Sequence, residues 1–146
     1  GLTLPGNHEW RGYDPRIEGI DAADALRDAV NELTDAGINK IILLSHSGYG
    51  ADLSLAAQRT GVDVIVGGHS HTFLSNDDPR GVGPYPRLYN DVVIVQAYAF
   101  GAFLGELTVT FDDAGNVIEA VGEPIPLDQE IAEDEEILSL IAGATR

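Results

Sequence analysis

The sequence predicts an α/β fold that takes on α+β character in its C-terminal half. Between residues 21 and 66 helix and strand patterns alternate with short connections, as in an α/β layer. Two strand segments, Lys40–Leu44 and Val62–Val66, are almost continuously apolar, which favours strands buried on both faces. Beyond residue 91 further strand segments follow one another around a tight turn, which indicates antiparallel pairing.

Local signals place the N-terminal elements. Residues Leu2–Leu4 are expected to be the end of a strand, and residues 7–20 a loop. Asp21 is a good N-cap, so the first helix should begin there, and its apolar residues recur at helical spacing. Gly37 should end this helix as a left-handed cap. A second, short helix is predicted over Ala51–Arg59.

The C-terminal half begins after a stretch rich in Asn, Asp, Pro and Gly, residues 75–91, which is predicted to be a long surface loop. The antiparallel strands are predicted over Val92–Gln96, Gly105–Phe111 and Val117–Val121. Asp112–Asn116 should form the hairpin turn, and prolines 124 and 126 should end the section. Glu133–Ile141 is predicted to be a terminal helix or linker.

Composition excludes several functions. The chain has 146 residues, 8 Lys and Arg against 24 Asp and Glu, and a formal net charge of −16. Nucleic-acid binding needs a basic face for counterion release, so it is not expected. No apolar run is long enough to span a bilayer. The absence of cysteine excludes disulfides and thiolate ligands, so a transition-metal site must use His, Asp, Glu or Asn.

Three of the four histidines follow predicted strands directly. His46 follows the first apolar strand, and His69 and His71 follow the second. Loops at the carboxyl ends of adjacent parallel strands converge on one crevice, so these side chains should meet. His69 and His71 should point the same way if the segment is extended, and Gly67 and Gly68 allow close approach to an ion. Imidazole suits Zn, Mn, Fe, Co or Ni.

Rival catalytic sites lack essential groups. Ser45 and Ser47 flank His46, but a serine triad also needs an orienting acid and an oxyanion hole. No G-x-S-x-G elbow occurs, and Lys40, which is the only lysine, is misplaced for a phosphate-binding loop. A metal site therefore remains the better interpretation.

Two strings around the histidines carry a family resemblance. Residues 45–49 read Ser-His-Ser-Gly-Tyr, with Asp52 downstream, and residues 61–72 read Gly-Val-Asp-Val-Ile-Val-Gly-Gly-His-Ser-His-Thr. They resemble the 5′-nucleotidase branch of the calcineurin-like metallophosphoesterases. The resemblance implies part of that family's four-layer sandwich with mixed sheets. Residues 1–128 would be a partial catalytic domain, and residues 129–146 a linker helix towards a C-terminal domain.

The resemblance also implies roles for single residues. His46 and His69 would bind one metal ion, and His71 the other. Asn7 and His8 follow a glycine as the family's Asn-His pair does, so Asn7 would be a metal ligand and His8 the catalytic histidine. His8 would donate to the leaving oxygen or stabilise charge on the phosphoryl group.

The chain departs from the family pattern in two ways. The family's Asp-x-His and Gly-Asp motifs do not occur before Asn7, and the stretch from Asn7 to Asp21 is short for the family. The segment Gly6–Glu9 is therefore the true motif, a junction or an accidental match. Asp52 either orients a ligand histidine or only caps the helix at Ala51. We expect this chain alone to hold at most one ion well and to turn over poorly.

The implied function is hydrolysis of nucleotide or related phosphate esters by metal-activated water, with a pair of divalent ions in the intact family site. The alternatives are a truncated fragment that binds metal without catalysis, and a structural domain that keeps only the fold. A homo-oligomer or a complementing N-terminal segment would be the partner, because an exposed sheet edge favours pairing. The family suggests a periplasmic or extracellular location.

Overall fold

A mixed β-sheet covered by helices on one face forms the body of the protein. The computed structural model describes residues 1–3, 16 and 18–144. In chain order the elements are β1 Leu2–Thr3, α1 Ala22–Asp35, β2 Ile42–His46, α2 Tyr49–Ala57, β3 Val64–Val66, β4 Arg87–Tyr89, β5 Val92–Val95, β6 Phe103–Phe111, β7 Val117–Pro126 and α3 Glu135–Ala144. Within the described ranges no helix is both long and apolar enough to cross a membrane.

The strand order explains why the loops that carry histidines lie side by side. The five-stranded sheet has the order β1-β2-β3-β5-β4, and among the described residues β6 pairs only with β7. β1, β2, β3 and β5 are parallel, whereas β4 runs antiparallel to β5. The predicted α/β class with mixed sheets is confirmed. The carboxyl ends of β2, β3 and β5 consequently share one edge.

Helix α1 is bounded as the sequence predicts. The side chain of Asp21 accepts hydrogen bonds from the backbone N–H groups of Ala23 at 2.9 Å and Asp24 at 3.1 Å. At the other end Gly37 has a φ of +82°. The N–H of Ile38 reaches back to the carbonyl of Leu33 at 2.9 Å. Both ends therefore satisfy backbone groups that a helix terminus would otherwise leave unpaired.

Loss of the N-cap should weaken the fold measurably. Asp21→Ala leaves two helical N–H groups without their acceptor, so we expect the free energy of unfolding to fall by about 1 kcal/mol. Urea denaturation followed by circular dichroism measures this. Asp28→Ala is the matched control, because Asp28 is exposed within the same helix. An equal loss of unfolding free energy in the control would show that the capping hydrogen bonds of Asp21 do not contribute to stability.

The core lies between the helices and one face of the sheet. It contains Leu26 and Val30 of α1, Leu55 of α2, and Leu43, Ile65 and Ile94 of three neighbouring strands. Those strand residues are register partners, so they share one face. Apolar burial on this face fixes the position of β2, β3 and β5 and thereby the edge from which the functional loops leave.

The opposite face of the sheet is covered only in part. Val93 and Val95 are buried on it, and Leu107 of β6 packs against the cluster that contains Val95. In contrast Ile42 is 59% exposed and Leu44 is 62% exposed. The prediction that β2 is buried on both faces is therefore wrong. The β6–β7 hairpin covers the β5 side of the sheet and leaves the β2 side open.

Two predictions about the C-terminal half are also wrong. The stretch predicted as a continuous loop contains β4, which Asn90 and Asp91 connect to β5 with φ values of +50° and +68°. Two consecutive residues with positive φ form the tight turn that a hairpin needs. The sequence predicts that β5 is an antiparallel strand, and it does pair antiparallel with β4, but it pairs in parallel with β3 on its other side. An apolar run of this length does not distinguish the two kinds of pairing.

The β6–β7 hairpin follows the predicted turn but extends further. Asp112 accepts hydrogen bonds from the backbone and side-chain nitrogens of Asn116, each at 2.8 Å, and Gly115 has a φ of +92°. β7 continues through Pro124 to Pro126 instead of stopping before them. Proline is tolerated there because β7 pairs with β6 alone in the part of the chain that the structure describes, so its other edge makes no ladder bonds that need N–H donors.

Candidate metal centre

Two imidazole rings from separate strand ends meet at the carboxyl edge of the sheet. His46 is the last residue of β2, and His69 follows β3 by three residues. Leu44 and Val66 are register partners, which brings the two strand ends side by side. The ring centroids of His46 and His69 are 5.3 Å apart, and the rings are inclined by 69°. Both side chains are exposed, so a ligand can reach them from solvent.

Gly68 packs tightly beside this pair. A Cβ atom on Gly68 would lie 3.1 Å from Nδ1 of His46 and 3.4 Å from the carbonyl oxygen of Ser45. A larger residue would therefore require the His46 ring to shift by a few tenths of an ångström. The close approach of the glycines to an ion stays a prediction, whereas the structure shows close approach of Gly68 to the His46 ring.

His71 lies differently from the other two histidines. Its ring stacks edge-on against Phe100, with centroids 4.9 Å apart. His69 and His71 have φ values of +71° and +53°, so the segment is not extended and the argument from alternating side chains is wrong. Within the described ranges no three His, Asp or Glu side chains form a group that could hold a metal ion.

The predicted ligand Asn7 and the predicted catalytic residue His8 lie outside the described residues, which resume at Arg16. Their proposed roles therefore depend on the sequence resemblance alone.

Asp52 is fully buried behind the two histidine loops. Its exposed fraction is 0%, and Oδ1 accepts a hydrogen bond from Oγ of Ser45 at 2.5 Å. Helix α2 begins at Tyr49 with Gly48 as its N-cap and no side-chain capping bond, two residues before the predicted start at Ala51. The alternative that Asp52 only caps this helix is therefore wrong. Asp52 instead fixes Ser45, the residue before His46.

The second oxygen of Asp52 has no hydrogen-bond partner among the described residues. A Cβ on Gly67 would overlap that oxygen, so the backbone at the end of β3 packs directly on the carboxyl group. Burial raises the pKa of Asp52 from its ordinary 3.8, and the hydrogen bond from Ser45 opposes this only in part.

The raised pKa of Asp52 predicts a pH dependence of stability. The folded chain binds this proton more tightly than the unfolded chain, in which the carboxyl has its ordinary pKa of 3.8. The stability that this tighter proton binding contributes is therefore fully present below pH 3.8, and it is lost as the pH rises through the raised folded-state pKa of Asp52. Asp52→Asn cannot titrate, so wild type should lose stability relative to this variant as the pH rises. Urea titrations from about pH 4 to about pH 8 measure this, and parallel curves would contradict it.

A buried polar side chain that the sequence analysis missed lies at the same edge. Gln96 follows β5 directly, is 2% exposed, and makes hydrogen bonds to Gly68, Ser70 and Thr72. The signal in the sequence was an amide residue placed at the end of four apolar strand residues. A buried amide in that position needs partners, which the adjacent loop supplies.

The donor set fits a transition-metal ion. Two solvent-accessible imidazoles on neighbouring strand ends are suitable ligands for Zn, Mn, Fe, Co or Ni, and they are less suitable for Mg or Ca. The fit is partial, because the described residues bring only His46 and His69 together.

Sequence comparison finds relatives that are named 5′-nucleotidases. The chain is 46% identical over 132 residues to snake venom 5′-nucleotidase of Crotalus adamanteus, covering 84% of this chain and 22% of that protein. It is also 46% identical over 123 residues to mouse 5′-nucleotidase, covering 78% of this chain and 21% of that protein. The chain thus spans about a fifth of the length of these curated relatives. No protein-family model matches it.

Structure comparison agrees with these relatives. The crystal structure of a 5′-nucleotidase precursor from Thermus thermophilus superposes with a TM-score of 0.86 and 39% sequence identity. The superposition covers 99% of this chain and 31% of that chain. Fold and sequence therefore point to the same set of proteins.

Proposed function

We propose that this chain, which belongs to the 5′-nucleotidase family over the part that it matches, takes part in hydrolysis of nucleotide phosphoesters at a divalent-metal site. The observation that carries this proposal is the pair formed by His46 and His69 at the carboxyl edge of a mixed sheet. His46 and His69 would hold one ion, and His71 would serve a second.

A bound divalent ion would supply Lewis acidity towards a phosphate oxygen and towards an attacking water. The contribution of the chain itself is to orient the imidazoles and keep their approach open. Gly68 leaves room beside His46, and Asp52 fixes the backbone that precedes it through Ser45. In this proposal Asn7 adds a ligand, and His8 donates a proton or hydrogen bond at the leaving oxygen.

The domain assignment is part of the proposal. Residues 1–128 would form a partial catalytic domain, and residues 129–146 a linker helix. The structure of α3 supports the second assignment, because Glu135–Ala144 contains no buried residue. Its large apolar side chains include Ile137 at 53% exposure and Leu140 at 63% exposure, and exposed apolar groups of this kind are typical of a helix that connects to another unit.

The location and partners are proposed from the relatives. One relative is named as a venom protein, which supports a place outside the cytoplasm, either periplasmic or extracellular. The substrate would be a nucleotide or a related phosphate ester. A second copy of the chain or a complementing N-terminal segment would cover the open side of the sheet.

A metal-binding role without turnover is the second candidate. It is favoured by one observation: no group of three His, Asp or Glu side chains forms in the described part of the chain. Two imidazoles bind an ion but leave much of its coordination to other donors.

An assay with added metal tests the proposal and separates the two candidates. The dialysed chain is incubated with AMP or bis-p-nitrophenyl phosphate and Mn²⁺, alone and with a segment that carries the family's Asp-x-His and Gly-Asp motifs. We expect slow release of phosphate from AMP, or of p-nitrophenol from the diester, by the chain alone, faster release with the segment, and none with EDTA. Mn²⁺ binding without turnover in either mixture would establish the second candidate. Failure to bind Mn²⁺, Zn²⁺ or Co²⁺ would overturn both.

A further inference from the structure

We propose that Gln96 is a positioning residue that fixes the loop carrying His69 and His71 in the conformation needed for metal binding. This inference rests on the proposed metal site. Gln96 lies at the end of β5, the strand next to β3, and its side chain is 2% exposed. It reaches across to the loop that follows β3, which is residues 67–72.

The hydrogen bonds of Gln96 span this loop. Its Nε2 donates to the carbonyl of Gly68 at 3.1 Å, directly before His69. Its Oε1 accepts from the backbone N–H of Thr72 at 2.5 Å, directly after His71. Only the amide oxygen can accept from an N–H and only the amide nitrogen can donate to a carbonyl, so these two bonds fix the amide in one orientation. The segment between them carries both histidines.

Ser70 links this arrangement to the other histidine loop. Its hydroxyl donates to Oε1 of Gln96 at 3.0 Å and accepts from the backbone N–H of Tyr49 at 3.0 Å. Thr72 Oγ1 lies 2.8 Å from the same hydroxyl and supplies its second incoming bond. Ser70 thus uses its one proton and both lone pairs. Tyr49 follows His46 by three residues, so the bonds connect both loops to the end of β5.

The backbone of the loop explains why such a connection is needed. His69 and His71 have φ values of +71° and +53°, a region that residues other than glycine adopt infrequently, although histidine enters it more often than most. A strained conformation persists only when the surrounding contacts determine it. His69, Ser70 and His71 are exposed, so burial contributes little to holding them. Hydrogen bonds to the buried Gln96 side chain hold the loop together with a backbone bond from the N–H of Tyr98 to the carbonyl of Thr72.

A positioning role differs from simple filling of the core in what it predicts. If Gln96 only filled space, a side chain of similar shape would preserve the loop and the metal affinity. If it positions the loop, Gln96→Met removes every hydrogen bond while keeping an unbranched chain of similar length. The backbone amide of Thr72 then loses its acceptor, and the histidines lose their fixed geometry.

Amide hydrogen exchange and Co²⁺ titration of the full chain test the inference. In Gln96→Met we expect exchange at the Thr72 amide to rise about tenfold. The affinity for Co²⁺, followed by its visible absorption, should fall about tenfold, the lower end of losses for groups that orient ligands. Gln58→Met is the matched control, because Gln58 is exposed after α2, and it should change neither quantity.

The outcomes separate this inference from the proposed function. Wild-type affinity and wild-type exchange in Gln96→Met would overturn the inference, and so would faster exchange with unchanged affinity. If the wild-type chain binds no Co²⁺, the proposed function fails. The exchange rate of the Thr72 amide in Gln96→Met then decides alone whether Gln96 fixes the loop. If Gln96→Met does not fold, Ser70→Ala takes its place, because Ser70 is exposed. The exchange rate of the Tyr49 amide and the affinity for Co²⁺ are then measured in that variant. Unchanged values there would also overturn the inference.

Discussion

The double variant His46→Ala, His69→Ala is expected to lose more than about 100-fold in affinity for Mn²⁺ or Zn²⁺. Groups that merely orient a metal ligand contribute about 10- to 100-fold, so removal of two direct ligands should exceed that range. The rings are 5.3 Å apart and both are exposed, so they can close on one ion. Isothermal titration calorimetry of the dialysed chain measures the affinity.

Stability provides the internal control for this variant. Both histidines are exposed, so the free energy of unfolding of the metal-free chain should change by less than about 1 kcal/mol. Asn31→Ala, at an exposed position in α1, should leave both metal affinity and stability unchanged. Retention of wild-type affinity by the double variant would remove the basis of the metal site.

Ile65→Ala is expected to lower the free energy of unfolding by about 2–5 kcal/mol, the largest stability effect that we predict. Ile65 is 1% exposed in the middle of β3 and belongs to the core between the sheet and the helices. Truncation leaves a cavity that the strands on both sides cannot close without moving. Denaturation in urea, followed by fluorescence and by circular dichroism, measures the loss.

Ile42→Ala is the matched control for this prediction. It removes the same atoms from the neighbouring strand, but Ile42 is 59% exposed on the opposite face. We expect a loss below about 1 kcal/mol, the range of strand propensity. A loss as large as that of Ile65→Ala would show that the open face is covered in solution by another surface.

The sequence predicts the elements in which one local signal dominates. Asp21 and Gly37 mark the ends of α1 because a side-chain cap and a left-handed glycine act within a few residues. The convergence of His46 and His69 could be predicted because it follows from parallel strand order. Both depend on short-range or topological rules, which sequence patterns report directly.

The features that escaped prediction depend on contacts distant in the sequence. The exposure of Ile42 depends on how far the β6–β7 hairpin extends across the sheet, which its own sequence does not report. The role of Gln96 depends on a loop 24 to 28 residues earlier in the chain. The positive φ values at His69 and His71 occur in a loop whose hydrogen bonds go to Gln96, a partner distant in the sequence.

The side of the sheet that the described residues leave exposed should make the self-association of this chain depend on ionic strength. Ile42, Leu44 and Val66 lie together on it, and water-exposed aliphatic groups of this kind attract like surfaces. Mutual repulsion from a net charge of −16 keeps molecules apart in dilute buffer. Salt shortens the range of that repulsion to about 8 Å at about 0.15 M ionic strength, which is less than its range in dilute buffer. Physiological saline should therefore promote self-association that dilute buffer suppresses.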